Sequence, residues 1–175
     1  MLGAAGGTGL AAVELGLLMG AKVIACASSA DKLAFARRHG ASIGINYGED
    51  DLAQALARES APTGADVIYD PVGGRYGLAA GLAALDAIAW HGRFLVIGFA
   101  AGEIPKLPLD LLQRKGCQAV GVFWGSWVAR NRDRHRANMV DLARWCAEGR
   151  LSALSMRPIR WRQPPRRSSN RLPAR

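Results

Sequence analysis

The sequence has few cysteines and no acid at its end. The three cysteines, Cys26, Cys117 and Cys146, stand far apart with no Cys-x-x-Cys pair. That excludes a zinc ribbon and a disulfide framework, and points to a reducing, cytoplasmic setting. No run approaches the ~20 apolar residues of a membrane span. The uncharged start, Met1–Val13, lacks the basic region of a signal peptide and runs into Glu14 and Lys22. No Gly-Lys-Ser/Thr follows the early glycines, so a P-loop is excluded. The last acidic residue is Glu148, and Arg150–Arg175 holds eight Arg. Removing those eight from the formal charge of +9 leaves +1 for residues 1–149. The body is nearly neutral, which argues against a nucleic-acid-binding face.

What is present is ordinary globular composition in 175 residues, half of them apolar. That length suits a single domain. Short apolar runs alternate with helical patterns. Helices are predicted over Gly9–Met19, Asp31–His39, Asp50–Glu59, Tyr76–Ile88, Leu109–Lys115 and Asp133–Glu148. The first should pack Leu10, Val13 and Leu17, and the last Met139, Leu142, Ala143 and Cys146. Ser29 reads as an N-cap and Gly40 as the residue closing that helix. Strands are predicted over Lys22–Ala27, Ile43–Asn46, Ala65–Asp70, Arg93–Phe99 and Cys117–Trp124. Such alternation gives βαβ units and a parallel sheet with helices on both faces, an α/β fold. The expected organisation is one α/β domain over 1–155 and a disordered tail over 156–175. The tail carries seven Arg and four Pro without periodicity.

The segment Leu2–Gly9 (LGAAGGTG) is glycine-rich where a strand should turn into a helix. Glycines serve there because the turn is tight, a pyrophosphate approaches the backbone, and helix and strand pack closely. The spelling is irregular: Ala-x-Gly-x-x-Gly from Ala4, or Gly-x-Gly-x-x-Ala from Gly7. A purely structural turn is the competing reading. About 20 positions on, an NAD site would carry Asp or Glu for the ribose 2′-hydroxyl. Here the strand ends in Ala27–Ser28–Ser29, with Lys32 one turn later. Hydroxyls and a cation suit a 2′-phosphate, which favours NADPH. Alternatively Ser29 is only a cap and Lys32 a solvated helix residue.

The segments GAAGGTGLAAVELG, GAKVIACASSADKLAFARRHGA, INY, DPVGG, RFLVIGFAAGEIP and VGVFWG resemble, in order and spacing, the quinone oxidoreductase branch of the medium-chain dehydrogenase/reductases. The likeness covers about residues 2–155. It implies that 1–155 form the Rossmann-type, doubly wound cofactor-binding domain of a zinc-independent enzyme that passes hydride from NADPH to a quinone or enone. It places Ala5, Gly6, Gly7 and Thr8 at the pyrophosphate, and Ser28, Lys32 and Tyr47 at the adenosine phosphate. It sets Gly73 and Gly74 at the switch point, and the backbone of Ile97, Gly98, Phe99 and Ala100 against the nicotinamide. Phe123, Trp124 and Gly125 should lie near the carboxamide, and the Cys117–Trp124 edge should pair two subunits. Bland alternatives stand beside these: a strand-end aromatic for Tyr47, a helix-entry turn for DPVGG, and core or dimer packing for Phe123 and Trp124.

Two departures accompany the resemblance. Only Met1–Leu2 precede the glycine turn, where the family carries a catalytic domain and a full first strand. An Arg/Pro-rich end follows Leu154, where an ordered helix and strand are expected. The expectation is a truncated product with a frameshifted tail, inactive by itself. Other frames of the neighbouring DNA should then encode the missing parts; finding no family-like sequence there would overturn it. His39, His91 and His135 read as a helix end, a pre-strand position and a helix surface, so no catalytic or metal-binding residue is assigned. A short-chain dehydrogenase fails, because none of Tyr47, Tyr69 and Tyr76 is followed four residues later by Lys. A non-catalytic nucleotide-binding or oligomerising module remains as the second reading, and RNA binding through the tail as a third.

Overall fold

A computed structural model describes residues 1–73 and 81–152. The chain runs α1 (Gly7–Leu18), β1 (Ile24–Ala27), α2 (Ala30–Arg38), β2 (Ile43–Asn46), α3 (Leu52–Glu59) and β3 (Ala65–Asp70). A helical stretch α4 follows over 81–86. Then come β4 (Ile88–Val96), α5 (Leu109–Lys115), β5 (Gln118–Gly121), α6 (Trp124–Arg130) and α7 (Arg132–Ala147).

All named strand pairs are parallel: β1 with β2, β3 with β4, and β4 with β5. The first residues join the two groups. Leu2 bridges Cys26 in parallel, Cys26 N–H donates to Met1 O at 2.9 Å, and Leu2 N–H donates to Tyr69 O at 3.0 Å. The spatial order is therefore β2–β1–(Met1–Ala4)–β3–β4–β5. The order turns back at Met1–Ala4, and that crevice is where ligands bind in open α/β sheets.

Both faces of the sheet are covered at β1. Ala25 and Ala27 of β1 pack with Val13 of α1 and Leu33 and Ala36 of α2. Cys26, pointing the other way, packs with Leu52 and Leu56 of α3, Leu85 of α4, Phe94 of β4 and Leu111 of α5. The alternation follows from the period-2 geometry of a strand. Burial at the sheet centre pushes the Cys26 thiol up, an effect the nearby Met1 ammonium opposes. The same burial pulls that ammonium down.

Several predicted bounds are corrected. β1 begins at Ile24 rather than Lys22. α1 begins at Gly7, and its Leu17 is 46% exposed instead of packed, because it lies near the helix end beside Gly40. α3 begins at Leu52, since Asp51 is its N-cap and accepts from the amides of Ala53 and Gln54. The two acids thus precede the first turn. The predicted helix over Tyr76–Ile88 survives as 81–86; its residues 76–80 lie outside the described residues. Ile88 already belongs to β4, whose register jumps between Ala65↔Ile88 and Val67↔Arg93. His91 lies in that protrusion at φ 63°. β4 ends at Val96, so Ile97–Phe99 form the exit from the strand.

The last two helices depart most. The strand expected to reach Trp124 ends at Gly121, and Trp124–Arg130 forms the unpredicted α6. α7 buries none of Met139, Leu142, Ala143 and Cys146. It leans on α6 and not on the sheet, through His135 set edge-on to Trp124 with ring centroids 5.2 Å apart. An apolar stripe at helical spacing needs a facing surface to become core, and among the described residues this one has little. His39 is likewise not a solvated helix end: its Nδ1 is 2.6 Å from Glu14 Oε1, and Ser152 Oγ bonds the same oxygen. The predicted tail, 156–175, lies outside the described residues.

Candidate functional site

A cavity of 420 Å³ opens at the strand ends on either side of Met1–Ala4. It falls within the ~300–1,000 Å³ usual for small-molecule sites. Its walls are the turn Gly3–Gly9 apart from Ala4, the β1 end at Ala27, Lys32 of α2, Tyr47 after β2, Pro71 and Val72 after β3, and Ala100.

The turn is built for an anion. Gly6 caps α1 in extended conformation, and no side chain accepts from the first turn. The helix ladder starts with Leu10 N–H to Gly6 O at 2.8 Å. The amides of Gly7, Thr8 and Gly9 precede it, and an α-helix offers such groups no internal partner. Together with the helix dipole they form an electropositive mouth. Lys32 is the one charged side chain among the described lining residues. An Asp or Glu, expected at the β1 end for a ribose diol, is absent from that lining.

Beside the β1 end, Lys32 Nζ donates to Ser28 Oγ at 2.8 Å. Ser29 accepts from Lys32 N–H at 3.4 Å as the N-cap of α2. Ser29 is the cap, and the exposed Ser28 and Lys32 form a hydroxyl–cation pair beside the cavity. Tyr47 N–H donates to Ala27 O at 3.1 Å, which carries the β1–β2 pairing one residue past the strand end.

At the β3 end, the buried Asp70 carboxylate accepts from Val72 N–H at 2.8 Å and Gly73 N–H at 3.1 Å. Ile97 N–H and Gly98 N–H donate to Asp70 O, and Ala100 N–H donates to Pro71 O. The β4 exit is thereby stitched to the β3 exit, which brings Ala100 to the cavity. Of the expected site residues, the cavity gathers Ala5, Gly6, Gly7, Thr8, Lys32, Tyr47 and Ala100. Ser28 adjoins through Lys32. Gly73 rests against Phe99, and neither lines the cavity; nor do Ile97 and Gly98. Phe123, Trp124 and Gly125 lie at the start of α6, with Phe123 79% exposed and Trp124 stacked on Trp127. Gly74 lies outside the described residues.

From sequence, Gly3 and Gly9 read as part of the turn, Ala27 as the strand end, and Pro71 and Val72 as part of DPVGG, without roles of their own in the site; the anchoring role of Asp70 was passed over. The signal for Asp70 was an acid ending an apolar strand just before Pro-x-Gly, a pattern that invites a carboxylate–amide turn. Among the described residues, no three His, Cys, Asp or Glu side chains gather as a metal site.

A doubly wound parallel sheet with an uncapped glycine turn at its switch point defines a nucleotide-binding domain of the Rossmann class. Residues 7–144 match the zinc-binding dehydrogenase family. Over 149 residues the chain is 36% identical to quinone oxidoreductase-like protein 2 of Bos taurus, covering 85% of this chain and 42% of that protein. The Escherichia coli quinone oxidoreductase, solved in complex with NADPH, superposes with a TM-score of 0.78 at 26% identity, over 89% of this chain and 46% of that one. The Pseudomonas syringae quinone oxidoreductase gives 0.74 at 29% identity, over 86% and 45%. The chain belongs to the zinc-binding dehydrogenase family, in the quinone oxidoreductase-like branch of the medium-chain dehydrogenase/reductases. It spans under half the length of these relatives.

Proposed function

We propose that residues 1–155 form the NADPH-binding domain of an oxidoreductase that passes hydride to a small quinone or enone. The observation that carries the cofactor assignment is the pairing of an uncapped α1 mouth with Lys32 as the lone charge on the cavity wall. Bound NADPH would supply the hydride. The amides of Gly7, Thr8 and Gly9 hold its pyrophosphate, Ser28 and Lys32 its 2′-phosphate, and Tyr47 the ribose beside it. Gly73, Gly74, Ile97–Ala100 and Phe123–Gly125 serve the nicotinamide end. None of the chain's residues is assigned a proton transfer. Hydride transfer further needs an acceptor held against the ring in a dry pocket. The quinone or enone preference is supported by the relatives' names alone, and the three free cysteines favour a reducing, cytoplasmic setting.

Lys32→Ala tests the phosphate assignment. NADPH should bind about tenfold more weakly, the equivalent of ~1.4 kcal/mol, while NADH changes less than about twofold. Equal losses for both coenzymes, or none, would remove Lys32 from the 2′-phosphate site. A quinone-reduction assay beside the titration separates the two function classes: binding without turnover supports the module reading.

A second copy of the chain is proposed to pair along β5. Its residues other than Val120 are exposed, and Val122 and Phe123 follow at 39% and 79% exposure. An apolar edge left open would template aggregation. Sedimentation should show a dimer that an Ala119→Pro change converts to monomer, because Val122 N–H bonds Val96 O of β4, so the amides of Ala119 and Gly121 face the open edge and proline removes one of them. A monomeric parent chain would contradict the pairing.

A further inference from the structure

We infer that Asn46 and Gly48 are a second determinant of coenzyme choice, setting the gap between the β1 and β2 ends in which a 2′-phosphate is seated. The inference rests on the NADPH reading above and deepens it. Neither residue lines the cavity; they act through Tyr47, which does, and through Ser28, which holds Lys32 on its wall.

Asn46 ends β2 and is only 7% exposed. A polar side chain buried at the end of an apolar strand must be satisfied. Its Oδ1 accepts from Gly48 N–H at 3.1 Å. Its own N–H donates to Asp50 Oδ2 at 3.2 Å, and its carbonyl accepts from Glu49 N–H at 3.0 Å and Asp50 N–H at 2.8 Å. The loop after β2 is thus wound around one residue, as an Asx turn with a reciprocal carboxylate.

This winding presses Gly48 onto the neighbouring loop. A Cβ at position 48 would stand 3.1 Å from Ser28 O, 3.3 Å from Asn46 Oδ1 and 3.8 Å from Ser28 C. One of those atoms is the side chain holding the turn, and the others are backbone, so no flexible side-chain end can swing away. Ser28 is the residue whose hydroxyl receives Lys32 Nζ, and Tyr47 sits between Asn46 and Gly48. Asn46 therefore fixes Gly48, Gly48 fixes the distance to Ser28, and Tyr47 and Lys32, which both line the cavity, are held in one arrangement. A 2′-phosphate is rigid and needs its donors within hydrogen-bond reach together. A 2′-hydroxyl asks far less of them.

The test compares NADPH and NADH titrations of the full chain with those of Gly48→Ala, Asn46→Ala and Asn46→Ser, alongside thermal melts. The parent should prefer NADPH. Gly48→Ala and Asn46→Ala should each weaken NADPH by about tenfold and NADH by less than about twofold. Asn46→Ser should recover most of the loss, because a hydroxyl can accept from the amide two residues on. A purely structural role would lower both affinities together and leave their ratio unmoved; that result overturns the inference. Should Gly48→Ala fail to fold, the Asn46→Ala and Asn46→Ser ratios decide, and an unchanged ratio in both overturns it. A parent that prefers NADPH beside variants with unchanged ratios sinks the Asn46–Gly48 role alone. A parent without preference overturns the NADPH reading, and the inference with it.

Discussion

Gly9→Ala is expected to abolish measurable NADPH binding and to destabilise the chain by about 2–4 kcal/mol. Two effects oppose each other at this position. Alanine in a helix is worth up to about 1 kcal/mol over glycine. A Cβ at Gly9, however, would fall inside the contact shell of the Gly3 carbonyl oxygen, 2.9 Å from Gly3 C and 3.0 Å from Ala4 Cα. All three are backbone atoms of the segment that joins β1 to β3, so relief requires moving α1 off the sheet. The clash therefore wins. Moving α1 also displaces the amides that hold the pyrophosphate, and an affinity loss beyond about 100-fold follows from some 3 kcal/mol of lost positioning. Gly7→Ala is the control for stability. A Cβ there meets nothing within 4 Å, so the propensity gain should appear unopposed in thermal melts. A Gly9→Ala chain as stable as the parent would mean that α1 does not approach Met1–Ala4 this closely.

Asp70→Ala is the second large effect. The carboxylate is 3% exposed and accepts two loop amides. Leaving buried donors unpaired costs about 1–3 kcal/mol each. Burying the charge itself is costly, so its removal returns part of that. A net loss of about 2–4 kcal/mol is expected, with NADPH weakened about tenfold because Pro71 and Val72 form the cavity wall. Asp70→Asn keeps an oxygen acceptor without the charge and should stay within about 1 kcal/mol of the parent. If alanine and asparagine behave alike, the amide bonds are not what holds the loop. Denaturant melts with parallel titrations report both quantities.

The sequence made much of the chain before α6 legible. β2, β3 and α5 have the predicted bounds, because Ile43–Asn46, Ala65–Asp70 and Leu109–Lys115 combine a clear period with clear punctuation. Ser29 caps α2 as expected, since a serine before an acid-containing first turn has few other uses. The glycine turn and the Ser28–Lys32 pair were readable because backbone approach and charge are local properties. What failed was whatever depended on a facing partner. The spacing of Met139, Leu142, Ala143 and Cys146 fits a helix, yet spacing says nothing about whether a surface stands opposite. Trp124 and Trp127 sit in a run whose aromatics read equally as strand. Their stacking, with ring centroids 5.8 Å apart, belongs to the i, i+3 spacing of a helix. Asn46 and Gly48 were passed over because the function of each is to place a different residue, and only coordinates show which.

NADPH binding as proposed requires the uncapped start of α1 and Lys32 to act together on one bound anion. The most direct measurement is a fluorescence titration of the folded full-length chain with NADPH, with NADH as the comparison. Saturable binding that is at least several-fold tighter for NADPH is the predicted result. A well-folded chain that binds neither nucleotide at millimolar concentration, or that binds NADH the more tightly, would contradict it.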